Sequence, residues 1–239
     1  MPPVVENKKK FKDTLYGAIT AAGEQLPPVV FTSDQADAGR NSERLLVKYL
    51  DGIKGPGNRS TEVWWDSLGQ DYLGDDDELW VDNLKSHHSK TFLEETRSVG
   101  LTIRYYPKYA GSILNAMDKA FWADFRASYY RESRDNHGQM LDAIESCFYR
   151  TSEEVIKRYW HHCGYTSDET PEEVVERLLG EGYSPADDKH RAEHDAMLAS
   201  YIMWSANRKL LRHGSLPQSS PQSLGFSGLD GVYWTVYHR

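Results

Sequence analysis

Two aspartates stand where a folded chain could build a divalent-cation site. Asp82 follows Leu79-Trp80-Val81, an apolar triplet that reads as a short buried strand and ends at Asp82-Asn83. In open α/β sheets, ligands bind beyond the carboxyl ends of the strands. Asp118 lies in a long helix starting at Ile113, whose apolar positions include Met117, Phe121 and Phe125. Its neighbours four residues either way, Leu114 and Trp122, place it at the edge of an apolar stripe. Two carboxylates brought together by a sheet would hold hard cations through oxygen. Two such ions about 4 Å apart can clamp the attacking and leaving oxygens of a phosphodiester. The chain carries 36 acidic residues, so spacing alone leaves each aspartate equally readable as a solvated charge or a helix cap.

Other side chains near these two widen the candidate set. Asn83 offers both a donor and an acceptor to orient Asp82 or a water, or else closes an Asx turn. His87 and His88 titrate near neutral pH and suit a phosphate contact or a proton relay, or are polar groups at a helix start. Asp34, after the Val29-Val30-Phe31-Thr32 run, is the one further acid placed to reach the same sheet edge; Asp37 reads as loop. Lys85, Lys90, Arg104 and Lys108 flank the acids in sequence and form the best local basic patch for a phosphate backbone. Lys8, Lys9, Lys10 and Lys12 form a basic arm or simply aid solubility. Asp75-Asp76-Asp77 reads as a solvated loop, because consecutive acids cannot all face one ion. His161-His162-Cys163 with Cys147 lacks the spacing of a zinc site and reads as a buried helix end.

The elements that must position these residues follow from periodicity. Thr14–Thr20 and Pro28–Thr32 read as strands around a turn at 21–24. Asn41-Ser42 predicts the cap of a helix carrying Leu45, Leu46, Tyr49 and Leu50, and 52–60 a Gly/Pro loop. Ser89–Val99 has helical spacing, Gly100 breaks it, and Leu101–Tyr106 is rich in β-formers. The resulting order of strand, strand, helix, strand, helix, strand, helix predicts an α/β layer fold with a mixed sheet. Beyond it, 140–148, 152–162, 171–179 and 188–212 show helical faces, 216–225 reads as a linker, and Gly231–Tyr237 as either a strand or a tail. The expected organisation is a catalytic layer over 1–135, a helical extension over 136–215, and a linker with a C-terminal tail over 216–239.

Composition limits the function classes. Of 239 residues, 39% are hydrophobic and 12% aromatic, enough for a real core. Net charge is −8, which argues against a simple nucleic-acid coat but leaves room for a nuclease-type site beside a local basic stripe. No apolar run approaches the roughly 20 residues of a membrane span. Two cysteines make no disulfide framework, and no leader pattern follows Met1, so the expectation is an intracellular protein, nuclear in a eukaryotic host.

The segment Val81-Asp82-Asn83-Leu84-Lys85-Ser86-His87 resembles the strand–Asp-Asn–x–x–x–His segment of mariner-like transposases and their insertion-sequence relatives, the DDE superfamily endonucleases. Leu101–Tyr106 followed by Pro107, Tyr109, Ser112 and Leu114-Asn115-Ala116-Met117-Asp118 is similar to that family's strand and Leu-Asn-Pro-x-Glu/Asp helix start, and Ala120-Phe121-Trp122 matches its apolar-Trp helix. Thirty-five residues lie between Asp82 and Asp118, close to the family's spacing of its second and third catalytic acids. Residues 156–165 are similar to its helical tail, so the resemblance covers roughly 2–165. It implies an RNase H-like mixed sheet flanked by helices with a C-terminal helical extension, and Mg2+- or Mn2+-dependent cutting and joining of DNA. Asp82 and Asp118 would be the metal ligands, transposon ends and target DNA the partners, and a homodimer the assembly. Gly111 and Ala116 depart from the family's prolines. The family's first catalytic Asp lies on a strand upstream of residues matching Pro2–Lys10, so the expectation is a domain lacking that strand. Two alternatives stay open: a non-catalytic, domesticated descendant that binds DNA or protein, and a helical interaction protein in which Asp82 and Asp118 lie far apart.

Overall fold

A computed structural model describes residues 13–52, 55–75, 77–82, 84–106, 114–132, 135–166, a few positions between 169 and 177, and the backbone of 231–237. The fold is mixed α/β. Its strands are β1 (Thr14–Thr20), β2 (Gln25–Thr32), β3 (Leu46–Tyr49), β4 (Glu78–Val81), β5 (Thr102–Tyr105) and β6 (Gly231–Tyr237). Its main helices are α1 (Asn58–Trp64), α2 (Lys90–Ser98), α3 (Trp122–Tyr129), α4 (His137–Phe148) and α5 (Glu153–His162). A π-helical stretch, Trp65–Gly69, prolongs α1, and another, Met117–Phe121, leads into α3.

The six strands form one sheet in the order β3-β2-β1-β6-β4-β5. β1 and β2 are antiparallel, β2 and β3 parallel, and β4 and β5 parallel. β6 lies between β1 and β4, parallel to the first and antiparallel to the second. The C-terminal segment, readable as strand or tail, is therefore a strand, and it is the one that joins β1–β3 to β4–β5.

Both faces of the sheet are covered, so its strands are almost continuously apolar rather than alternating with polar residues. Val29 and Phe31 of β2 and Leu79 and Val81 of β4 pack with Trp64, Trp65, Leu68 and Phe92 from α1, its extension and α2. Val30 and Trp80 face the other way, into Phe121, Trp122, Phe125, Leu141, Phe148, Ile156 and Trp160 of the helices between 117 and 162. The helices expected as an extension from 136 thus share a core with the sheet. Gly17 marks the tightest contact between these layers. A Cβ there would stand 2.7 Å from Phe148 Cε2 and 3.1 Å from Trp122 Cη2, so the rings sit directly on the strand backbone.

Residues 46–49, expected to be helical, are instead the edge strand β3. Asn41 Oδ1 accepts the Val47 N–H at 3.1 Å, and the Ser42 N–H donates to the Leu45 carbonyl at 2.8 Å. These bonds close a turn and use the groups that would have capped a helix. The expected 52–60 loop ends early, because α1 begins at Asn58. The helical readings at 140–148 and 152–162 match α4 and α5, whereas the 188–212 helix and the 216–225 linker lie outside the described residues, as does most of 171–179. No helix among the described residues is long and apolar enough to cross a membrane.

Because β6 supplies the pairing on both sides of the sheet's middle, a chain ending after residue 230 should leave β1 and β4 with open edges. Its melting temperature should fall by roughly 10 °C or more relative to the full chain. A thermal melt unchanged within a few degrees would show that the sheet does not need this strand.

Candidate functional site

The registers bring one end of every strand together. The starts of β1 and β6 stand beside the ends of β2, β3, β4 and β5. Asp82 leaves the sheet at this end, directly after β4. The Met117–Phe121 turn holding Asp118 packs beside β6. π-helical turns of this kind occur often at functional sites.

Each aspartate has one oxygen held. Asp82 Oδ1 accepts the Leu84 N–H at 3.1 Å and lies 2.8 Å from His87 Nδ1, which also lies 3.1 Å from the Asp82 carbonyl oxygen. With both contacts being acceptors, His87 Nδ1 carries the proton and donates. Asp118 Oδ2 accepts from Asn115 Nδ2 at 3.0 Å, and Asn115 Oδ1 accepts the Met117 N–H at 3.1 Å. Among the described residues, Asp82 Oδ2 and Asp118 Oδ1 have no hydrogen-bond partner. Burial, and next the charge of Asp82, push the Asp118 carboxyl up to about 7, while Asn115 and Arg126 pull it down. The charge of Asp82 also reaches Tyr16, whose hydroxyl sits 2.7 Å from Ser60 Oγ and whose pKa is raised mainly by burial. The pair therefore offers hard oxygen donors and excess negative charge, a donor set that suits Mg2+ or Mn2+.

The remaining predicted residues divide by location. His87 is fully buried and holds Asp82 from the protein side, so it makes no phosphate contact. His88 stacks on Tyr105 with ring centres 4.3 Å apart, and burial followed by the neighbouring His87 lowers its pKa. Lys85 and Lys90 are exposed; Lys90 lies 3.6 Å from Glu94. Arg104 turns away from this end, to Glu78 at 3.2 Å, because the strand register makes the two diagonal neighbours on one face. Asn83 and Lys108 lie outside the described residues, as do Lys8 to Lys12. Cys147 and Cys163 are buried in the core beneath α4 and α5.

Asp34 is not grouped with Asp82. Its Oδ1 accepts the Ala36 N–H at 3.0 Å and caps the turn Gln35–Asp37. It gathers instead with Asp37 and His137, one ligand atom of each lying within 4.8 Å of the others. His137 Nδ1 bonds the Asp37 carboxylate, and Nε2 lies 2.7 Å from Asp13 Oδ2. Burial lowers the His137 pKa, but the bonds to Asp37 and Asp13 outweigh it and the net shift is upward. Sequence reading passed over Asp13 and His137 and left Asp37 in a loop. The hairpin register Thr14↔Phe31 sets residue 13 beside the chain that leaves β2, a signal present in the strand assignments; nothing in the sequence pointed to His137.

No family model, curated protein or solved structure matches the chain.

A carboxyl raised from 3.8 to about 7 on folding stays protonated in the native state after it has ionised in the unfolded one. Stability therefore falls as pH rises from about 4 to about 7 and stays reduced above that. Asp118→Asn should gain roughly 1–4 kcal/mol at pH 8 and close to nothing at pH 4, read by urea denaturation without added metal. Equal effects at the two pH values would contradict the burial and charge argument.

Proposed function

We propose that this chain is a DDE-type transposase-derived domain of the RNase H-like class, in which Asp82 and Asp118 bind Mg2+ or Mn2+ and act on DNA phosphodiesters. What supports the reading is placement: Asp82 directly follows β4, the turn holding Asp118 packs beside β6, and the charge of Asp82 adds to burial in raising the Asp118 pKa, although 35 residues separate the two in the chain. Carboxylates at one sheet end, each with one oxygen uncommitted, are the kind of site the resemblance implies.

The chain's own residues have definable tasks in this reading. His87 and the Leu84 N–H fix one oxygen of Asp82, and Asn115 fixes one of Asp118, so the opposite oxygens would be the ones left to hold an ion. When bound, the ion supplies Lewis-acid polarisation of a phosphoryl oxygen and orients the reacting groups. Lys85 and Lys90, exposed on the segment after Asp82, offer cations to a DNA backbone. Transposon ends and target DNA are the partners, a second copy of the chain the assembly, and the cell interior the compartment.

A second reading is a non-catalytic descendant that binds DNA or protein. One observation favours it: Asp13, Asp34 and Asp37, further acids at this sheet end, gather around His137 rather than around Asp82. That leaves two carboxylates where the family's chemistry uses three.

The full chain, incubated with supercoiled plasmid and Mn2+, should nick DNA. Chelation should stop the reaction and Asp82→Ala should slow it by about 100-fold or more. DNA binding without nicking would favour the descendant. Absence of Mg2+ and Mn2+ binding by calorimetry, with Asp82→Ala changing nothing, would end the enzyme reading.

A further inference from the structure

Among the side chains at this end of the sheet, Tyr105 has no task in the function proposed above. It closes β5, and the parallel register sets it opposite Val81, the residue directly before Asp82. The next backbone N–H, that of Tyr106, donates to the Val81 carbonyl at 2.9 Å, so the end of β5 is bound to the point where the chain leaves β4. From there the Tyr105 hydroxyl reaches the short helical turn Lys85–His88 and donates to the His87 carbonyl at 2.8 Å. A carbonyl only accepts, so the phenol must keep its proton for this bond. Burial pushes the phenol's pKa up to about 12, against the lowering effect of Arg97, and the proton stays in place at neutral pH. The Tyr105 ring also lies nearly parallel to that of His88, with centres 4.3 Å apart. One side chain of β5 thus grips two consecutive residues of the turn.

The bonds inside the turn show what that grip controls. Asp82 Oδ1 accepts the Leu84 N–H at 3.1 Å, and the Leu84 carbonyl accepts the His87 N–H at 3.0 Å. The fully buried His87 ring then points Nδ1 back at Asp82, 2.8 Å from Oδ1 and 3.1 Å from the carbonyl oxygen. This closed set fixes the shape of the turn, and Tyr105 ties it to the sheet. A turn that rotates against β5 carries Nδ1 off the oxygen it holds, and hydrogen bonds weaken steeply with misalignment.

We propose that Tyr105 is a positioning residue: by holding the His87 carbonyl and stacking on His88, it aims His87 Nδ1 at Asp82 Oδ1 and leaves Asp82 Oδ2 presented for a divalent cation. The use of that second oxygen rests on the metal reading above; the hold on His87 does not. Tyr105 touches neither ion nor DNA in this account. Side chains that orient a ligand from behind change metal affinity by about 10- to 100-fold.

Mn2+ titration by calorimetry and 15N NMR of the histidine rings, both on the full chain, test this. Tyr105→Phe keeps the ring stack and removes the hydroxyl alone. It should weaken Mn2+ binding by about 10-fold or more, while the melting temperature falls by only a few degrees. In a His87→Gln background the same substitution should change Mn2+ affinity no further, because the path from Tyr105 to Asp82 runs through the imidazole. In the metal-free chain, the His87 signal should pass from a single tautomer with its proton on Nδ1 to a mixture of tautomers, and the His137 signal should stay where it is. A His87 signal indifferent to Tyr105→Phe overturns the proposal. So does an additive loss in the His87→Gln background, or an unchanged Mn2+ affinity where wild type binds the ion. A wild type that binds no Mn2+ defeats the metal reading instead, and the His87 tautomer then decides the role of Tyr105.

Discussion

The architecture depends on one backbone pairing, the insertion of β6 between β1 and β4. Without it, the described strands fall into a group of three and a group of two, with buried open edges facing each other. With it, every N–H and C=O along that seam has a ladder to join, as buried backbone requires. The direction of β6 also matters. Parallel to β1 and antiparallel to β4, it aligns the start of β1 with the end of β4, and so collects at one edge the acids that precede or follow those strands.

That edge concentrates negative charge in a partly dry place, and the protein meets the problem in two ways. At Asp82 and Asp118, one oxygen of each carboxylate is held, by the Leu84 N–H and His87 in the first and by Asn115 in the second, and burial together with the charge of Asp82 raises the affinity of Asp118 for a proton. At Asp13, Asp34 and Asp37, an imidazole stands between the carboxylates. In both places nearby negative oxygen contributes to a raised affinity for a proton. Helices on both faces keep water away from the sheet below and hold the acids at the rim.

The parts of this arrangement that were legible in the sequence are local. Leu79-Trp80-Val81 reads as a buried strand because it is a short apolar run bounded by acids, and it places Asp82 at a strand end directly. The α2, α4 and α5 faces were readable because 3.6-residue periodicity survives wherever a helix packs on one side only. β3 was misread because its four residues are too few to show a period, and Asn41 and Ser42 carry the same side-chain chemistry in a turn as at a helix cap. The place of β6 was not legible, since strand order depends on contacts distant in sequence. The same reason hid the grouping of Asp13 with His137, which are 124 positions apart. Arg104 looked like a phosphate ligand by proximity in sequence, but the strand register sends it to Glu78.

The central claim is that Asp82 and Asp118 share one small volume at the end of the sheet. Carboxyl-carbon NMR of the metal-free chain reads this most directly, through the titration of Asp118 in wild type and in Asp82→Asn. Asp118 should titrate near 7 in the first and at a distinctly lower pH in the second, because the charge of Asp82 is then gone. An Asp118 that titrates near 4 in both, or whose midpoint ignores the substitution, would mean that the two carboxylates do not share a site.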